Sequence, residues 1–131
     1  MNAFLVELEN KPGALATLAE AIAARGVNIT GVSGSTCGSS GRVAIVTADD
    51  ATTRTVLEDN KHSFKELEVT ETHLRDEPGS LATATRRLAQ AGVNIEAVFP
   101  IGMVGRDMSV AFVTDNPAKA RQTIGLATSA R

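Results

Sequence analysis

Apolar and polar residues alternate from Ala3 to Glu9, with Phe4, Val6 and Leu8 against Glu7 and Glu9. That period of two predicts a strand with one buried and one wetter face. Asn10-Lys11-Pro12-Gly13 breaks it, because proline fixes its own φ and glycine adopts angles closed to other residues. From Ala14 to Arg25 the period changes to helical, through Leu15, Leu18, Ala19 and Ile22, and Gly26 is a C-terminal stop. Val27, Ile29 and Val32 begin a second strand. The Gly/Ser-rich stretch 34–41 then reads as a hairpin loop. RVAIVTA (residues 42–48) predicts a strand, and Asp49 or Asp50 caps a helix running to about Asn60. Residues 63–74 contain no turn former and read as extended.

The same order then recurs. Residues 11–32 (KPGALATLAEAIAARGVNITGV) align with 77–98 (EPGSLATATRRLAQAGVNIEAV), and half of the aligned positions are identical, at an offset of roughly 66 residues. In the second copy a helix is expected over 80–91, strands over 93–101 and 108–114 with a turn at 102–107, and a helix opening at Asn116-Pro117. Only GLATSAR follows Ile124, so the last strand of this copy is expected to be short or missing, with 63–74 serving both copies. The fold class is α+β: two ferredoxin-like βαββαβ units, 1–68 and 69–131, each an antiparallel sheet with its helices on one face.

Composition narrows the function. Of 131 residues, 43% are hydrophobic, but aromatics are limited to four Phe, so the cores rest on Ala, Val, Leu and Ile. Thirteen Lys and Arg are scattered among 15 Asp and Glu, for a net charge of −2, without a basic stripe for nucleic acid. An RNA-binding sheet of this topology also needs aromatic platforms, which the central strands lack. Cys37 stands alone, which excludes an intrachain disulfide or a CxxC metal pair, and it is read as an incidental thiol. The N-terminal MNAFLVELENKPG lacks a secretion signal's basic run and apolar stretch, and no run of ~20 apolar residues spans a membrane; the expected location is cytoplasmic. His62 and His73 form no supported catalytic or metal pair. No catalytic residue, metal site or cofactor is expected, and the chain is read as a non-enzyme.

With these motifs in place, the chain resembles the ACT domain, a regulatory module of amino-acid metabolism, in tandem and without a fused catalytic domain. The resemblance rests on a polar-x-Pro-Gly bend, a helix opening with small-Leu, and Ala-x-x-Gly-Val-Asn-Ile, in both copies. Copy one, with ENKPG and GVNI, is most similar to the serine-binding ACT domain of phosphoglycerate dehydrogenases. Asn10 and Asn28 match that group's two ligand-holding asparagines. Leu8 and Leu74 stand where it often carries histidine, and Asp76 replaces Asn10 in copy two. The resemblance implies a small amino acid or related metabolite held by Asn10, Lys11, Pro12, Gly13, Ala14, Leu15, Asn28 and Ile29, and by Asp76, Glu77, Pro78, Gly79, Ser80, Leu81, Asn94 and Ile95. A bend also suits a carboxylate physically, since the first N–H groups of a helix lack partners and carry partial positive charge. The implied role is allosteric regulation by a homodimer or larger oligomer, acting on a target enzyme of amino-acid metabolism. The alternative is an adaptor that keeps the fold without a ligand.

Overall fold

A computed structural model describes residues 1–126. The chain divides into two compact units, Met1–Leu67 and Glu68–Arg131. In the first, β1 (Asn2–Glu9), α1 (Ala14–Ala23), β2 (Ile29–Cys37), β3 (Ser40–Thr47) and α2 (Asp50–Asp59) follow in order. β3 pairs antiparallel with β1 on one side and with β2 on the other. Phe4, Val6, Val43 and Ile45 face Leu18, Ile22, Val56 and Leu57 of the helices in one buried cluster, which fixes the helices on one face of the sheet.

Strand β4 (Phe64–Leu74) crosses the unit boundary. Its start closes the first unit: Glu7 N–H donates to the Ser63 carbonyl at 3.0 Å, and the Phe4 and Phe64 rings tilt together at 6.0 Å. Residues 69–74 instead open the second unit, pairing antiparallel with β6 (Asp107–Thr114). The expected extended segment 63–74 does serve both copies. The second unit adds α3 (Ser80–Gln90), β5 (Ile95–Val104), paired antiparallel with β6, and α4 (Pro117–Ile124). Its core sets Val110 and Phe112 against Ala84, Leu88, Ala120 and Ile124. Gly125 N–H closes on the Arg121 carbonyl, and Leu126 N–H donates to the Glu71 carbonyl of β4 at 3.3 Å. The expected short or missing final strand falls on residues 127–131, outside the described residues.

Two expectations are corrected. Residues 34–41 are not a loop: β2 runs to Cys37 and β3 starts at Ser40, so the turn is Gly38-Ser39 alone. Likewise Gly102–Val104 belongs to β5, and the turn is Gly105-Arg106. Both turns put glycine first at positive φ, +63° and +61°, the requirement of a two-residue hairpin of the primed type. Backbone pairing with the next strand holds Gly34, Ser35 and Thr36 in register, so small side chains do not loosen the strand.

Local signals set the helix ends. Asp49 accepts from Thr52 N–H at the start of α2, and Asn116 from Lys119 N–H at the start of α4, before Pro117. At the end of α1, Gly26 N–H bonds to Ala23 and Val27 N–H to Ile22; Gly92 and Val93 repeat this with Ala89 and Leu88. This is the Schellman stop, with its hydrophobic contact made by Val27 on Ile22 and Val93 on Leu88. No helix among the described residues is long and apolar enough to cross a membrane.

Candidate functional site

The two Pro-Gly bends turn a strand directly into a helix. Gly13 has φ +88° and Gly79 φ +94°, and a Cβ at either would meet nothing within 4 Å. Glycine is therefore required by backbone angle and not by crowding. Among the described residues no side chain caps α1 or α3, whereas α2 and α4 are capped by Asp49 and Asn116. Where the repeat places its bend, the helix opening is left to solvent; Gly13, Leu15, Gly79 and Leu81 are exposed.

Beside each bend lies a cleft. In the first unit it holds about 460 Å³ and sets Asn10, Lys11, Ala14 and Leu15 opposite Ser35 and Arg42 of the hairpin. In the second it holds about 320 Å³ and sets Asp76, Glu77, Ser80 and Leu81 opposite Pro100 and Met108. A further recess on the other side of the second bend, about 380 Å³, is lined by Glu77, Pro78, Gly79 and Ser80 with Arg75 and Arg87. Leu15 and Leu81, although spaced to fall on the buried stripes of their helices, are 47% and 51% exposed and line the clefts instead.

Asn10, Lys11, Ala14 and Leu15 share one cleft and Asp76, Glu77, Ser80 and Leu81 the other, but the asparagines of the two motifs do not come together. Asn10 donates its side-chain Nδ2 to the Gly38 carbonyl at 2.9 Å, and its backbone N–H to the Ser39 carbonyl at 3.0 Å; it is fastened to the hairpin tip. Asn28 lies before Ile29 at the far end of β2, where its carbonyl accepts from Ala48 N–H. Nine residues of strand separate the two ends, roughly 30 Å at ~3.3 Å per residue. One small molecule cannot touch both. Asn94 occupies the corresponding place in the second unit, with its N–H donating to Asp115 Oδ1. Ile29 and Ile95 pack against the two cores.

The hairpin walls of the clefts carry no motif and were invisible to motif spacing; their only signal is the repeat offset, which places Met108 over Arg42 and Pro100 over Gly34. Elsewhere, Arg54 Nε and Nη2 donate to both Glu66 carboxylate oxygens at 2.6 and 2.7 Å, and Asn2 Nδ2 adds a third bond at 2.7 Å. Those bonds, Arg54 first, hold the Glu66 carboxyl below the usual carboxylate range against a smaller opposing effect of burial. His73 stands 3.5 Å from Glu71 on β4. Among the described residues no three His, Cys, Asp or Glu groups converge as a metal site.

Residues 3–59 match the model of the ACT domain, a span within the first unit and under half of the chain. No curated protein sequence matches the chain. Solved structures resemble it across nearly its full length. One is protein BT0572 from Bacteroides thetaiotaomicron, 22% identical with a TM-score of 0.80, covering 93% of this chain and 84% of that one. Another is the ligand-free regulatory subunit of aspartate kinase from Thermus thermophilus, 18% identical with a TM-score of 0.65, covering 94% and 86%. The regulatory subunit of aspartate kinase from Thermus flavus is also 18% identical, with a TM-score of 0.63, covering 93% and 88%. At these identities the likeness is one of fold.

Proposed function

We propose, from the match of residues 3–59 to the model of the ACT domain, that this chain is a tandem ACT protein that binds a small amino acid and regulates another protein without catalysing a reaction itself. The observation that carries the reading is the repeated bend: two uncapped helix openings, each behind an exposed glycine of positive φ and beside a cleft. The carboxylate of an amino acid sits against the N–H groups of Leu15 or Leu81, where the helix dipole favours negative charge. The neighbouring Ala14 and Ser80 N–H groups donate at 3.4 Å to the Lys11 and Glu77 carbonyls. Its ammonium faces the carbonyl oxygen of Asn10, whose Nδ2 is already engaged with Gly38, or the carboxylate of Asp76. Two structures of like fold are regulatory subunits of aspartate kinase, which agrees with a regulatory role in amino-acid metabolism.

Asn28 and Asn94 enter the site only if another unit supplies them, because each lies away from the bend of its own. A second copy of the chain provides that partner, so the ligand bridges the bend of one copy and the Asn-Ile strand entry of the other. Such a bridge stabilises one arrangement of the oligomer over another, and that difference in affinity is what makes it a switch. The proposed setting is the cytoplasm, with an enzyme of amino-acid metabolism as target.

A thermal-shift screen of the twenty amino acids on the full chain tests this. A ligand at ~100 times its dissociation constant adds about 2.7 kcal/mol of apparent stability, a rise of several degrees. If no amino acid moves the transition, the chain is an adaptor that has kept the fold without the ligand.

A further inference from the structure

The two clefts share their bend positions by the repeat offset, with leucine at 8 and 74 and at 15 and 81, and differ in their hairpin walls. In the first unit the hairpin wall beside Leu8 and Leu15 is Gly34, Ser35, Thr36, Gly41 and Arg42 with Val43, mostly small or polar with one cation and one apolar side chain. An exposed Lys11–Glu9 ion pair of 3.0 Å stands at its rim. In the second unit, Leu74 and Leu81 meet Val98, Pro100, Met108 and Val110. The repeat offset puts Met108 where the first unit has Arg42, Pro100 where it has Gly34, and Asp76 where it has Asn10. Leu81, Val98 and Met108 remain 51, 40 and 36% exposed, apolar surface that a ligand can cover. The charged groups Arg75, Asp76 and Glu77 are confined to the bend side of this cleft.

We infer that the cleft of the second unit selects an amino acid with a large apolar side chain, such as leucine or methionine, and discriminates against serine. The inference rests on the proposed function and names the ligand class of one of its two sites. Polar recognition is available only along the bend, where the charged ends of a free amino acid find Asp76 and the opening of α3. The side chains of the opposite wall offer no hydrogen-bonding N–H or O–H group to a hydroxyl or an amide, so a polar side chain loses water there with little replacement. An aliphatic one instead buries against Leu81, Val98 and Met108. At about 320 Å³ the cleft lies at the small end of ligand sites, which fits one amino acid and not a nucleotide.

Titration calorimetry of the full chain with L-leucine, L-methionine, L-serine and L-asparagine tests the selection. The expected result is leucine or methionine binding at least tenfold tighter than serine or asparagine at one of the sites. Met108→Arg, which installs the first unit's residue, and Val98→Thr each weaken that binding about tenfold or more. Both positions are partly exposed, so the variants keep the wild-type circular-dichroism spectrum. Polar amino acids binding while leucine and methionine stay silent, or unchanged leucine affinity in both variants, overturns the selection and leaves amino-acid binding standing. Absence of heat from leucine and methionine overturns the selection, and absence of a thermal shift from all twenty amino acids overturns both. A wild-type dimer that Met108→Arg splits, with no apolar amino acid bound, assigns the wall to contact between copies and overturns the inference as well.

Discussion

Gly13 and Gly79 show how one residue type governs the site. With open space in front of each, Gly13→Ala creates no clash, and its cost is that of a side chain held in a left-handed conformation, about 1–2 kcal/mol. Chemical denaturation should register that loss, whereas a neutral result would mean that the bend relaxes to ordinary angles. Asn28→Ala separates function from fold: it leaves the denaturation midpoint near wild type and weakens the amino acid about tenfold. Unchanged affinity in both Asn28→Ala and Asn94→Ala would remove these two residues from the site. Glu66 makes a different kind of prediction. Its carboxyl is held below the usual range by Arg54 and then by Asn2, so its stabilising contribution is complete above the unfolded value of about 4.3 and disappears as pH falls through the lower folded value. Glu66→Gln therefore lowers the urea midpoint at pH 7 and flattens its decline as pH falls below about 4.3. An acid limb as steep as wild type would show that other carboxylates dominate, Asp49 among them, which Thr52 holds low by hydrogen bonds. The bend residues were legible in the sequence because glycine and proline act through their own backbone angles. The bonds of Asn10 to Gly38 and of Arg54 to Glu66 were not, since their partners lie 28 and 12 residues away without a shared motif.

Among the elements, the helices were legible in the sequence because their ends are chemically marked. Asp49, Asn116-Pro117, Gly26 and Gly92 all act within one turn of the residues they serve. Asn116→Ala removes the bond to Lys119 N–H at 3.1 Å and should cost about 1 kcal/mol; an unchanged denaturation midpoint would mean that Pro117 alone sets the start of α4. The hairpins were misjudged for the opposite reason. Small residues at 34–37 mark a loop only where nothing pairs with the backbone, and here β3 lies alongside to supply the hydrogen bonds. In the first unit Gly34, Ser35 and Thr36 of the hairpin arm stand in the cleft wall, so a loop over 34–41 conceals that part of the candidate site. The wall of the second cleft falls instead within the expected strands 93–101 and 108–114. Leu15 and Leu81 expose a related limit. Helical periodicity assigns them to the buried stripe, yet each stands one turn too near the bend for the core to reach.

For the molecule as a whole, the ordering of elements and the sharing of β4 were both legible, because the duplication repeats every punctuation mark. How the chain assembles was not, since the contacts that decide it belong to more than one copy. Strand β2 stands last in its sheet and carries Ser33, Gly34, Ser35, Thr36 and Cys37 without a charge or proline, the composition of an edge left open to pairing. At the end of β5 the corresponding edge is blunted by Pro100 and by irregular register between Pro100 and Gly102. Dimerisation through β2 is therefore the expected mode: sedimentation equilibrium at micromolar protein gives a dimer, and Ser35→Pro shifts it toward monomer. A wild-type monomer under those conditions would leave Asn28 and Asn94 without a bend to face. The central claim, an amino acid held at the repeated bends, is tested most directly by backbone amide NMR of the full chain during titration with the amino acid that gives the largest thermal shift. The account predicts saturable shifts concentrated at the amides of Gly13, Ala14 and Leu15 or of Gly79, Ser80 and Leu81. Saturable shifts confined to other residues, or none from any of the twenty amino acids, would contradict it.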